Sequence, residues 1–87
     1  MSGEPVLVKI CGLSTPQTLD ATIAAGADLA GFVFFAKSPR HIDLDTARAL
    51  GEQAAGRIQK VALTVDTDDA ALAEIVAALR PDMLQLH

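Results

Sequence analysis

A chain of 87 residues with 51% hydrophobic content and neither Trp nor Tyr has material for one modest core. Its formal charge of −4 argues against a general nucleic-acid binder, because phosphate backbones are gripped by clustered Lys and Arg. The N-terminus lacks the basic start and long apolar run of a secretory signal, nothing reaches membrane-spanning length, and a lone cysteine cannot form an internal disulfide, so the expected setting is a reducing cytoplasm and the expected partner a small molecule.

The first element is an apolar run over residues 6–10 that reads as a buried strand and ends at Cys11-Gly12. Thr15 can then cap a helix that has Pro16 at its first position and Gly26 as its stop. Residues 29–35 form a second apolar run rich in Phe, leading into a loop that contains Lys37, Ser38, Pro39, Arg40 and His41. Asp43 can cap a second helix from residue 44 to about 55, stopped by Gly56, and residues 60–65 read as a third strand. A third helix is predicted to begin near Thr67, with Asp68 and Asp69 in the first turn, where the helix dipole favours negative charge, and to end at Arg80-Pro81. Residues 83–86 supply a fourth strand.

The order is β-α-β-α-β-α-β, which implies an α/β fold of parallel strands joined by right-handed crossovers. Two architectures accept it: an open sheet of the flavodoxin-like kind, or the N-terminal half of a (βα)8 TIM barrel, whose full length is about 200 residues or more. The run ends at His87 directly after its fourth strand, with no helix to cover that strand, which favours residues 1–87 as a partial barrel: the first three βα units plus the fourth strand. There is no linker or low-complexity segment, and no G-x-G-x-x-G fingerprint of a Rossmann site.

Four groups of residues invite a chemical reading. Cys11 sits where α/β folds keep their ligands, at the carboxyl end of a strand; it serves either as a reactive thiol or, the commoner use of such a residue, as a small buried filler. Lys9 shares a strand face with Cys11 because side chains two apart point the same way, and a buried ammonium there calls for a carboxylate from another strand. A structural ion pair is the favoured role for Lys9, with promotion of the thiolate as the alternative. In the second loop Pro39 stiffens the turn that presents Arg40, whose planar guanidinium matches a carboxylate, and the loop's place at a strand's carboxyl end favours an anion site over scattered surface charge. Asp66, Asp68 and Asp69 suit capping and first-turn positions, their spacing fits no Ca²⁺ loop, and His41 reads as a solvated loop residue.

Lys9-Ile10-Cys11-Gly12-Leu13 after an apolar strand, Gly31-Phe32-Val33-Phe34-Phe35 running into Ser38-Pro39-Arg40, and Gln85-Leu86-His87 on the fourth strand together resemble the N-terminal portion of phosphoribosylanthranilate isomerases of tryptophan biosynthesis. The resemblance implies a (βα)8 barrel and an Amadori rearrangement of N-(5-phosphoribosyl)anthranilate to a 1-deoxyribulose 5-phosphate product. It implies Cys11 as general base, Arg40 as the grip on the anthranilate carboxylate and His87 beside the substrate, with no cofactor or metal. The family's general acid, an aspartate of a later strand, and its phosphate-binding loops have no counterpart in these residues, so the 87-residue chain is expected to be inactive and, with two open strand edges, to self-associate. Another phosphate-sugar barrel enzyme would place a lysine in the central role, and a receiver-type module would carry an acidic cluster where Cys11-Gly12 stands.

Overall fold

The computed structural model describes residues 7–35, 41–65 and 67–86. Its elements alternate as the sequence predicts: β1 (Lys9–Ile10), α1 (Pro16–Ala24), β2 (Leu29–Phe34), α2 (Leu44–Ala54), β3 (Gln59–Thr64), α3 (Asp69–Leu79) and β4 (Met83–Leu86). Each helix opens on a side-chain cap that satisfies a backbone N–H left free by the first turn. Thr15 accepts from Thr18 N–H at 3.2 Å, Asp43 from Thr46 N–H at 2.7 Å, and Asp68 from Ala71 N–H at 2.8 Å. Asp68 is therefore the cap of α3 and not a first-turn residue, which leaves Asp69 alone in the turn where the dipole favours it. Gly26 follows α1 at a φ of +83°, a conformation that glycine adopts without the steric cost of a Cβ. No such residue ends α3, where Arg80 itself takes the left-handed conformation at a φ of +53°.

The four strands form one parallel sheet in the order β1-β2-β3-β4. This order separates the two architectures that the element sequence leaves open. A flavodoxin-like sheet places β1 between β2 and β3; here β1 is an edge strand and every strand lies beside its successor, as in a barrel wall. Right-handed crossovers without a reversal of strand order place the helices on one face of such a wall.

The core lies between that face and the helices. Ala30, Phe32 and Phe34 of β2 and Ala62 of β3 are buried against Leu19, Ala47, Leu50, Ala54, Ile75 and Leu79. Phe32 has no exposure, and burying such a side chain stabilises the fold by about 3 kcal/mol. The register pairs Gly31 with Val61, and Val33 with Leu63, which in turn pairs with Gln85; these residues line the opposite, open face, since neighbours in register point the same way.

Strand limits depart from the sequence reading in ways that hydrogen bonds explain. β1 is shorter than residues 6–10: the Val8 N–H is taken by the Asp28 carboxylate at 2.8 Å, outside any ladder, and Val6 lies outside the described residues. β2 stops at Phe34, one residue early, and β3 runs one residue earlier than predicted, so that Gln59 to Thr64 match Leu29 to Phe34 one for one. Lys60 is buried on the helix side, and its ammonium donates to the Gly51 carbonyl of α2 at a long 3.5 Å.

Candidate active site

Cys11 follows β1 directly, at the strand's carboxyl end, and its side chain is exposed. Beyond it the chain turns at Gly12, whose φ is +80°. The N–H groups of Gly12 and Leu13 both donate to the Gly31 carbonyl, at 3.1 and 3.2 Å. One carbonyl of β2 thus fixes the loop that carries the thiol, just past the last paired residues, Ile10 and Ala30. Within these 87 residues Cys11 is exposed and is no part of the core.

Lys9 has a partner other than the one its sequence context suggests. Its ammonium donates at 2.8 Å to the Gln85 side-chain oxygen on β4, a neutral amide where a carboxylate was expected. The bond also describes the sheet. β1 and β4 are its two edges, which a flat sheet would hold about 14 Å apart. Side chains stand off the sheet, so a direct bond between them reports a wall curled toward its open face, with Lys9 and Gln85 on the concave side. Cys11, two residues beyond Lys9, stands at the rim of that hollow.

The loop from β2 to α2 returns beside β2, where His41 bridges to Val33 and the Ile42 N–H donates to the Val33 carbonyl at 3.1 Å. His41 is exposed, as a solvated loop residue would be. Arg40 and His87, the two expected substrate contacts, lie outside the described residues, as do Lys37, Ser38, Pro39 and Asp66. A hollow of about 500 Å³ opens next to this loop's exit, lined by Phe34, His41, Asp43, Thr67, Glu74 and Ile75. A larger one of about 570 Å³ lies at the opposite, amino end of the strands, between Leu7, Asp28, Lys60 and Asp82, away from Cys11. Among the carboxylates at the rim, Asp43 is held below its ordinary value, first by the backbone N–H of Thr46 and then by the Thr46 hydroxyl.

Sequence reasoning missed one partner of Lys9 and one neighbour of the thiol. Gln85 was invisible as a partner for Lys9 because the contact joins opposite edges of the sheet. Gly31 left a trace: an isolated glycine within an apolar strand marks a close approach of another backbone, and that backbone is Cys11's.

Comparison with known proteins supplies the family. The family described as N-(5'-phosphoribosyl)anthranilate (PRA) isomerase matches residues 8–87. Relatives of that name include one from Nitrobacter hamburgensis, 67% identical over 82 residues, and one from Bradyrhizobium sp., 66% identical over 82 residues. Each alignment takes in 94% of this chain but only 36% and 37% of the relative, so the chain spans little more than a third of their length. Among solved structures, the phosphoribosyl anthranilate isomerase of Thermotoga maritima superposes with a TM-score of 0.89 at 29% identity, over 95% of this chain and 40% of that one. A second structure of such an isomerase, in complex with reduced 1-(o-carboxyphenylamino)-1-deoxyribulose 5-phosphate, gives a TM-score of 0.89 over 95% of this chain and 43% of that one. Shared sequence from residue 8 to 87, carried on a shared arc of parallel strands with the helices outside, leaves one assignment: the chain belongs to the N-(5'-phosphoribosyl)anthranilate isomerase family.

Proposed function

We propose that these residues form the general-base side of an isomerase that converts N-(5-phosphoribosyl)anthranilate to its 1-deoxyribulose 5-phosphate product. The observation that carries this reading is the place of Cys11: an exposed thiol on a pinned loop at the carboxyl end of β1, inside the segment that matches the family. The ligand of the complexed relative, a reduced form of that product, supports the substrate class.

The chemistry follows from the groups. An acid donates a proton to the furanose ring oxygen as the C1–O bond breaks, and the nitrogen lone pair forms the C1=N Schiff base. The Cys11 thiolate then takes the C2 proton, the C2–H electrons form C1=C2, and the C=N electrons return to nitrogen. The resulting enaminol tautomerises to the ketone at C2. A group that accepts a proton at C2 and one that gives a proton at the ring oxygen must hold opposite protonation states, so one thiol cannot serve both steps at once. In this reading Arg40 grips the anthranilate carboxylate through its planar fork and His87 lies against the substrate. The acid and the phosphate grip come from barrel strands that the 87 residues do not include.

The test compares two proteins. The 87 residues alone should show no turnover, while the same residues completed with the remaining part of the Nitrobacter hamburgensis relative should convert N-(5-phosphoribosyl)anthranilate. A well-folded completed protein without activity would overturn the reading.

A further inference from the structure

We propose that Gly31 is the positioning residue for the Cys11 thiol; the inference rests on the reading of Cys11 as the base and extends it to β2. A Cβ built on Gly31 would lie 2.9 Å from Cys11 Sγ, 3.2 Å from its Cα and 3.4 Å from its Cβ. The sulfur could rotate away from such an intruder, but the Cα could not without moving the end of β1. Glycine at this position is therefore the seat in which the thiol rests, and its carbonyl is the anchor for the two N–H groups that follow the thiol. Gly31 is itself buried, so the seat is backed by packed structure and not by solvent. A base must reach the C2 proton within hydrogen-bond range, and a displacement of about 1 Å is enough to cost about 100-fold in rate. Gly31 touches no substrate atom and transfers no proton. It acts by fixing where Sγ is.

The test uses the completed protein with Gly31→Ala, Cys11→Ala and the double substitution. Gly31→Ala should lower kcat about 100-fold while KM changes less than about threefold, because the seat fixes the base and not the substrate. Cys11→Ala separates the two proposals. If Cys11→Ala keeps its kcat, the base reading fails and takes this inference with it; if Cys11→Ala is inactive while Gly31→Ala keeps its kcat, only the inference fails. Thermal unfolding of the set closes the remaining gap. Removing Sγ relieves the closest of the contacts, so Gly31→Ala should lower Tm less in the Cys11→Ala background than in the parent, by about 2 °C or more. An equal loss in both backgrounds would overturn the proposal. A Gly31→Ala protein that folds only when Cys11 is also replaced by Ala supports it, and failure to fold in both backgrounds counts against it.

Discussion

The thiol of Cys11 owes its placement to two backbone features rather than to side chains that grip it. Gly12 makes the turn and Gly31 receives it, so the sulfur stands at the rim of the concave face with the Lys9–Gln85 bond set below it. At this scale the sequence was legible wherever the cause was local. Thr15 and Asp43 could be read as caps because a cap acts on residues two or three positions along; the Lys9 partner could not, because it arrives on β4. Asp43 also yields a test in solution. Its carboxylate is held below its ordinary value by hydrogen bonds from Thr46 that exist only in the folded chain, so the folded value lies below the unfolded one. A group of that sign contributes its stability above the unfolded value and loses it as pH falls through the folded one. The difference in Tm between the parent and Asp43→Ala should therefore be full at pH 6 and narrow below about pH 4. An unchanged difference at pH 3 would show that the ionised carboxylate is not what stabilises α2.

Between elements, the close approach of α2 to the end of α3 depends on one residue. A Cβ on Gly51 would lie 2.7 Å from the Leu79 carbonyl oxygen and 3.3 Å from the Leu79 carbonyl carbon, both backbone atoms that cannot rotate away. Gly51→Ala should cost about 1–3 kcal/mol as the helices separate, in spite of the gain in helix propensity that alanine brings elsewhere. Denaturant unfolding measures this directly, and a variant as stable as the parent would contradict the packing described. Element order and type were legible from apolar periodicity and from Gly and Pro punctuation, as at Pro16, Gly26 and Gly56. Boundaries were less so. The short β1 reflects the Asp28 side chain competing for the Val8 N–H, and the buried Lys60 reflects a residue whose apolar stem suits the core while its ammonium finds the Gly51 carbonyl. Composition signals neither.

For the whole molecule, periodicity alone could not supply strand order: the same β-α-β-α-β-α-β order serves an open sheet and a barrel arc; the uncovered fourth strand and the family resemblance pointed to the arc, and the neighbour relations β1-β2-β3-β4 agree with it. Residues at or beside the two edge strands are apolar and exposed, Leu7 and Ile10 at one edge, Leu84 and Leu86 at the other, with Leu7 69% and Leu86 63% accessible. Unpaired N–H and C=O rows bordered by such side chains are templates for further pairing. The isolated 87-residue chain is therefore expected to self-associate, and sedimentation of a monodisperse monomer at micromolar concentration would contradict this. The proposed role of Cys11 as general base is tested most directly by kcat of Cys11→Ala in the completed protein. Removal of a general base predicts a fall of about 10²–10⁴-fold with the fold and thermal unfolding preserved; a variant that keeps a tenth or more of the parent kcat would contradict it.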